Sequence, residues 1–369
     1  MDNTHRAHIL QRWNIIQYDL IPELNDEVGC LTSKLEKLIH VLEWVRIEEF
    51  VNHTWHGVGR PPHDRGALAN AFVAKTVLNL STTVGLIERL EMDRALRRIC
   101  GFPMWQRLPD ESTFSRAFTE FAQDRLAERV HEALIEQHLG NTLIGHISRD
   151  GTAIEAREKP AKQDRKVAEP DDKPVKRGRP KAAEVREPKL SPVAKQLTQT
   201  LPELLADLPK ACDRGTKCNA AGYKNSWNGY KLHLDTADCG VPVSAILTSA
   251  STHDSRAAVP LALLTASRVT NLYDLMDAGY CSEELRAHSR SLGHVPLIDH
   301  NPRRGEKKQF EPHEAQRYHE RTQAERANGR LKDEFGARFV RVQGAMKVMS
   351  HLMFGVLVLS VDQLMRLVT

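Results

Sequence analysis

The sequence lacks the features of several protein classes. Its 369 residues include only six cysteines, none in a Cys-x-x-Cys pair, so no disulfide framework is expected and a reducing cytoplasm is favoured. Charged residues interrupt Met1–Leu20, which argues against a signal peptide. The longest uncharged apolar stretch, Leu352–Val361, has ten residues. A membrane-spanning helix needs about 20, so we expect a buried core helix and no membrane segment. No phosphate-binding loop for ATP is present.

Aromatic residues make up only 6% of the chain, and the charges nearly cancel, with 52 Lys and Arg against 48 Asp and Glu. The 41% hydrophobic content excludes a wholly disordered protein, and the length allows two or three domains. A net charge of +4 permits an anionic partner without requiring one. The position of the positive charges is therefore more informative than their sum.

Residues 1–140 are predicted to form an all-helical N-terminal domain. Apolar residues recur at helical spacing, and Asp or Thr stands where several helices would begin. The predicted helices cover Leu31–Phe50, Asp64–Leu80, Thr82–Glu91, Asp93–Cys100 and a segment that opens at Asp110. Short helices joined by tight turns are typical of DNA-binding helix-turn-helix modules and equally of small helical bundles. DNA binding and dimerisation are both open for this domain.

From residue 141 the pattern predicts an α/β fold, a mixed sheet flanked by helices that extends to residue 369. The predicted elements are a strand Leu143–Asp150 that returns after a Gly151-Thr152 turn, a hairpin of Trp227–Ala237 and Val241–Ser249, a helix Ser255–Thr265, strands Asn271–Met276 and His294–Ile298, and a helical region from about Glu314 to the end.

A basic segment interrupts this pattern. Residues 158–195 contain six of the 18 prolines, twelve Lys or Arg and seven Asp or Glu, and no aromatic residue. Such a composition predicts a disordered basic linker, which we place at about 158–215. Within it, Arg177-Gly-Arg179-Pro resembles the core of an AT-hook, and this resemblance implies arginines directed into an A·T minor groove. A generic polycationic tether is the alternative.

Four polar residues near the C-terminus have a spacing that places them on one side of a helix. Tyr318, Arg321, Glu325 and Lys332 would share an arc of about 60° on one continuous helix. A carboxylate framed by a phenol and two cations suits a metal ion held beside a phosphate. The plainer interpretation is a solvated charged face with pairing between residues four apart.

Two further carboxylates are predicted to lie at strand ends. Asp150 precedes Gly151, and Asp277 follows the Leu272–Met276 strand, so both could bind a hard divalent cation at one edge of the sheet. Asp274 is a rival for the second position. Asp150, Asp277 and Glu325 together could hold two Mg²⁺ or Mn²⁺ ions. Such a pair activates an attacking oxygen and stabilises a leaving oxygen at a phosphodiester.

Together these residues resemble a known family. Asp150, Asp277 and Glu325 are similar to the DDE triad of bacterial insertion-sequence transposases. The Tyr318-x2-Arg321-x3-Glu325-x6-Lys332 spacing resembles the signature of the superfamily that contains the fourth and fifth insertion-sequence families. Supporting strings are Arg149–Thr152, Trp227–His233 and Asp277–Tyr280, and Gly66–Phe121 resembles the helical domain that precedes the catalytic core.

The resemblance implies an RNase H-like catalytic domain and a DNA-dependent activity. Such a protein binds the terminal inverted repeats of its own element in double-stranded DNA, cleaves the ends and joins the 3′-hydroxyls to target DNA. Tyr318, Arg321 and Lys332 would grip the DNA backbone, Glu325 would be the third metal ligand, and a homodimer would act on DNA in the cytoplasm, at the nucleoid. Two alternatives stay open, a repressor without catalysis and a nuclease that cannot join ends.

Overall fold

The computed structural model describes residues 3–52, 62–161, 190–218, 222–301 and 308–367. Its first part is helical, as predicted. The helices are α1 (Asn3–Ile15), α2 (Ile21–Val28), α3 (Ser33–Val45), α4 (Arg65–Val77), α5 (Thr83–Met92), α6 (Arg94–Ile99), α7 (Glu111–Gln123) and α8 (Leu126–Leu139). Their starts follow the capping residues of the sequence. Asp64 accepts a hydrogen bond from the Gly66 amide at 2.8 Å, and Asp93 accepts one from Leu96 at 2.9 Å.

The second part contains the sheet. Its elements are β1 (Leu143–Glu155), α9 (Pro192–Gln196), α10 (Leu201–Asp207), β2 (Asp213–Cys218), β3 (Lys224–Ala237), β4 (Pro242–Ser249), α11 (Ser255–Ala266), β5 (Thr270–Met276), α12 (Glu283–Ser291), β6 (Val295–Ile298), α13 (Pro312–His319), α14 (Thr322–Asp333) and α15 (Ala345–Arg366). In the described chain six strands form one sheet in the order β2-β3-β1-β5-β6, and β4 also pairs with β3. Pairs β1–β3, β2–β3 and β3–β4 are antiparallel, whereas β1–β5 and β5–β6 are parallel. The predicted mixed sheet is confirmed.

Helices cover both faces of this sheet. Neighbouring residues of a strand point to opposite faces, and on β3 the side chain of Asp235 bonds to Thr265 of α11. On β1, Asp150 lies opposite Leu234 of β3, and it bonds to Asn328 of α14. Helices α11 and α14 therefore lie on opposite faces, and α14 covers the face that carries Asp150.

Helix α15 joins the helical region to the sheet. It packs against α3, α4, α7, α8 and β4, and Phe354 lies 6.0 Å from the ring of Phe72 and 6.2 Å from that of Phe118. By length and composition it could cross a membrane, but 78% of its apolar window is buried inside the protein. The buried core helix predicted at Leu352–Val361 is confirmed, and the N-terminal helices share its core. All six cysteines are free, as expected.

The turn predicted at Gly151-Thr152 is wrong. Strand β1 continues to Glu155 because β3 pairs with it throughout, from Ile147 opposite Ala237 to Glu155 opposite Gly229. Gly151 serves close packing instead. A Cβ at that position would lie 3.0 Å from His233 Nδ1 and 3.1 Å from Asp254 Oδ1. The glycine therefore lets two polar side chains approach the strand next to Asp150.

The linker predicted at about 158–215 is too long at both ends. At its start, Ala161 donates a backbone hydrogen bond to Cys212 at 2.8 Å. At its end the chain forms α9, α10 and the beginning of β2, where the apolar side chains of Val193 and Leu204 are buried. The remaining part of the linker, with Arg177 and Arg179, lies outside the described residues.

Candidate active site

Asp150 and Asp277 lie side by side on neighbouring strands. Strands β1 and β5 run parallel with Arg149 opposite Met276, so Asp150 and Asp277 occupy the next positions of the two strands. Asp277 ends its strand, as predicted, and its Oδ1 accepts a hydrogen bond from the Gly279 amide at 2.9 Å. Asp150 does not end its strand. It lies in the middle of β1, because that strand continues along β3.

The rival carboxylate Asp274 belongs to the core. It is 2% exposed, and its Oδ2 lies 3.2 Å from Nδ1 of His294. Asn271 donates a hydrogen bond to its Oδ1 at 3.2 Å. These partners hold Asp274 between β5 and the residue that precedes β6. Asp277 is therefore the carboxylate that lies next to Asp150.

The single helix predicted over Tyr318–Lys332 is wrong. Helix α13 ends at His319 and α14 begins at Thr322. Between them the backbone tightens to bonds between residues three apart, with Arg321 donating to Tyr318 at 3.0 Å and Ala324 donating to Arg321 at 3.1 Å. Tyr318 and Arg321 nevertheless stay together, because the Arg321 guanidinium lies 5.8 Å from the centre of the Tyr318 ring.

Arg321 interacts with both Glu325 and Asp150. Its Nη2 bonds to Glu325 Oε1 at 2.5 Å, and its charge also acts on Asp150. Burial raises the pKa of Asp150 to about 6, a shift that Asp277 reinforces and that Arg321 and Lys217 oppose. Burial likewise raises the pKa of Tyr318 to about 12, with Asp277 adding to the shift. Arg321 and Tyr318 thus lie close enough to the aspartates for Arg321 to act on Asp150 and Asp277 to act on Tyr318.

Glu325 is near the aspartates without joining them. Its side chain is 54% exposed and is held by Arg321, the pairing of residues four apart that the plainer interpretation expected. Among the residues that the structure describes, no three Asp, Glu, His or Cys side chains form a group that could hold a metal ion. The geometry is therefore one pair of adjacent carboxylates with a third carboxylate bound to a guanidinium.

Two lysines, Lys332 and Lys217, also act on Asp150. Lys332 is half-buried on α14, and its pKa is lowered by burial and by the nearby charges of Arg338 and Lys217. Lys217 is exposed on β2 and is close enough to act on both Lys332 and Asp150. Sequence reasoning missed Lys217 because no strand was predicted between the linker, which ended at about residue 215, and Trp227. No local signal could have revealed that it reaches this site.

Asn328 is a second residue that sequence reasoning missed. It is 5% exposed on α14, and its Nδ2 donates to Asp150 Oδ2 at 2.9 Å. The one available signal was its position three residues after Glu325, which places it on a neighbouring part of the helix surface. Its partner Asp150 is 178 residues away in the chain.

A buried ion pair joins β1 to β3 on the face of the sheet opposite to Asp150. Arg149 is 3% exposed and Asp235 is fully buried, and they are joined by two hydrogen bonds of 2.8 and 2.7 Å. Thr265 of α11 donates a third to Asp235 at 2.7 Å. Burial opposes the charge of Arg149, but Asp235 and Asp274 keep its pKa above the ordinary value. This network fixes the residue that immediately precedes Asp150.

Two families of known proteins match the chain. Residues 18–120 match the family described as Transposase domain (DUF772), and residues 146–361 match the Transposase DDE domain. No curated protein and no solved structure matches. The second match spans more than half of the chain and contains all of the sheet except the first three residues of β1, both aspartates and helices α13 and α14. The chain therefore belongs to the DDE transposases, enzymes of transposition whose catalytic domain has the RNase H-like fold.

Proposed function

We propose that the protein cleaves DNA at the ends of its own element and joins the resulting 3′-hydroxyls to target DNA, with Asp150, Asp277 and Glu325 as its catalytic triad. The observation that carries this proposal is the pair of adjacent carboxylates, Asp150 and Asp277, flanked by cationic side chains from α14 and β2. Carboxylates bind divalent cations, and cations bind phosphate oxygens. Both kinds of group are needed where a phosphodiester is displaced.

The residues fit a divalent cation. Asp150 and Asp277 repel each other when both are ionised, and a cation between them would remove that repulsion. Asp150 and Asp277 would hold it first, and Glu325 would complete the ligand set after leaving Arg321. When bound, a pair of Mg²⁺ or Mn²⁺ ions would supply Lewis acidity to the attacking and leaving oxygens.

The cationic residues would position the DNA. Arg321, once it leaves Glu325, has a planar guanidinium that can bind two oxygens of one phosphate. Lys332 and Lys217 would bind neighbouring phosphates along the strand. Tyr318 would hold Arg321 over its ring, where the two groups already lie 5.8 Å apart. We also propose that the protein acts as a homodimer on paired element ends. Arg177 and Arg179 would contact the DNA minor groove.

An assay on DNA that carries the inverted repeats flanking the coding region tests the proposal. Purified protein with Mg²⁺ should cut at the repeat ends and should produce joined molecules when target DNA is added. Nicks without joined products would indicate a nuclease, and repeat binding without cleavage would indicate a repressor. Either result would contradict the proposed strand transfer.

Cation affinity is expected to depend on pH through Asp150. Because its pKa is raised from 3.8 to about 6, the folded protein holds a proton that the unfolded chain has already released. This protonation stabilises the metal-free fold below pH 4, and the stabilisation is lost as the pH rises through 6. Mn²⁺ must displace the same proton, so its affinity should fall about tenfold for each pH unit below 6. Calorimetric titrations at pH 5, 6, 7 and 8 measure the Mn²⁺ affinity. Equal affinities at pH 5 and 8 would contradict the assignment of Asp150 as a cation ligand.

Replacement of Lys217 with Ala is expected to weaken DNA binding without changing sequence preference. Loss of one phosphate contact should reduce the slope of log K against log salt concentration by about 1. Fluorescence anisotropy at several salt concentrations measures both quantities. Lys195→Ala is the matched control, since Lys195 is an exposed lysine of α9, which packs on the opposite side with α11 and α12. If the two variants have the same salt slope, Lys217 does not contact DNA.

A further inference from the structure

The amide of Asn328 has one buried atom without a partner. Its Nδ2 donates to Asp150 Oδ2 at 2.9 Å, but its Oδ1 is buried and accepts no hydrogen bond. An ionised carboxylate can only accept hydrogen bonds, so Asp150 forces the amide to present its nitrogen. The oxygen is consequently the atom of the amide that does not bond to Asp150. A buried amide oxygen without a donor destabilises the fold, so its burial calls for a functional explanation.

The position of Asn328 points to the carboxylate site. It lies on α14 three residues after Glu325, and α14 packs across β1 and β3 on the face that carries Asp150. Its bond occupies one oxygen of Asp150, and the carboxylate also accepts a backbone hydrogen bond from Gly151. Amide oxygens accept hydrogen bonds from the waters of Mg²⁺ and Mn²⁺, which keep several waters when they bind proteins.

We propose that Asn328 is a positioning residue of the cation site, which orients Asp150 through its Nδ2 and accepts a hydrogen bond from a water of the bound cation through its Oδ1. This inference rests on the proposed function, because it requires a divalent cation at Asp150 and Asp277. It extends the site beyond the three carboxylates to an uncharged residue on the same helix as Glu325. Groups that orient metal ligands change metal affinity typically by about 10–100-fold when they are removed.

A plain structural role makes a different prediction. If Asn328 only ties α14 to β1, its replacement lowers the melting temperature and leaves cation affinity at Asp150 unchanged. Mn²⁺ affinity of the DNA-free, full-length protein therefore separates the two roles. It can be measured by electron paramagnetic resonance, which detects free Mn²⁺ and needs no enzymatic activity.

The experiment compares four variants with the wild type. Asn328→Leu removes both polar atoms at nearly constant volume, and we expect its Mn²⁺ dissociation constant to rise about tenfold or more. Asn328→Ala removes the same two polar atoms without adding bulk, so its Mn²⁺ dissociation constant should also rise. Gln323→Leu is the matched control, an amide of the same helix that lies beside Gly240. Asp150→Asn identifies binding at the site itself.

The Mn²⁺ affinities of these variants test the role of Asn328 and the cation site separately. Suppose that Asp150→Asn abolishes Mn²⁺ binding but Asn328→Leu binds Mn²⁺ with wild-type affinity. This result overturns the role of Asn328 and leaves the proposed function standing. Absence of any Mn²⁺ binding that depends on Asp150 overturns the cation site itself. If Asn328→Leu does not fold, Asn328→Ala decides, since our proposal requires Mn²⁺ to raise its melting temperature less than that of the wild type.

Discussion

Replacement of Asp150 with Asn is expected to reduce DNA end cleavage and strand transfer by about a thousandfold or more, because catalytic groups that act as a unit fail together. The substitution removes the charge and little else. Asn keeps the size of Asp, and its side-chain oxygen can still accept the hydrogen bond from Asn328. Affinity for DNA should persist, since the phosphate contacts are assigned to Arg321, Lys332 and Lys217.

The measurement is a cleavage time course on repeat-end DNA, with binding followed by gel shift on the same preparation. Glu155→Gln is the matched control, an exposed carboxylate at the end of the same strand. It should retain cleavage within a few-fold, as surface substitutions usually do. Asp150→Asn protein that cuts at the wild-type rate would remove Asp150 from the mechanism, and loss of DNA binding would show that the substitution damaged the fold.

The same variant should be more stable than the wild type when no metal is present. A carboxylate held in a half-buried position beside Asp277 destabilises the metal-free fold above pH 6, because burial and Asp277 favour its neutral form. Asn is neutral at every pH. Gain of stability with loss of activity is typical of residues kept for function at a cost to the fold, and it distinguishes Asp150 from a structural acid such as Asp274.

Local sequence signals predicted much of the fold. Asp64, Thr82 and Asp93 marked helix starts because a capping side chain acts within three residues. The hairpin of β3 and β4 followed from apolar strands around Asp238-Cys-Gly240. Asp277 was found at a strand end because the break after Met276 is itself local. These elements depend on neighbours in the chain, which the sequence displays directly.

The unpredicted parts depend on pairing between distant segments. Strand β1 passed through Gly151 because β3 supplied a partner more than 70 residues later, which no turn propensity can anticipate. Asn328 and Lys217 reach Asp150 only once α14 and β2 are placed on the sheet. The helix break before Thr322 had no proline or glycine to signal it. The triad is proposed from its resemblance to a family, whereas the residues around it required the three-dimensional arrangement.

The ion pair behind Asp150 leads to the largest expected effect on stability. Arg149→Met removes the cation from the fully buried Asp235, which also accepts a hydrogen bond from Thr265. Removal of one member of a buried pair costs about 3–5 kcal/mol, since the other charge loses its compensation. The free energy of unfolding from urea denaturation should fall by that amount. Arg290→Met, which breaks the exposed pair with Glu283, is the control and should cost less than about 1 kcal/mol.

A second substitution shows whether the cost comes from the orphaned charge. Arg149→Met combined with Asp235→Leu replaces both ions with apolar side chains, which is often neutral or stabilising at buried sites. The double variant should therefore recover most of the stability lost in Arg149→Met, a coupling that a double-mutant cycle measures. If the losses of the two single variants simply add, the pair is not the source of the effect. Recovery would show that these ions stabilise the strand of Asp150 only as a pair, so that neither can be lost alone in a chain that keeps its active site in place.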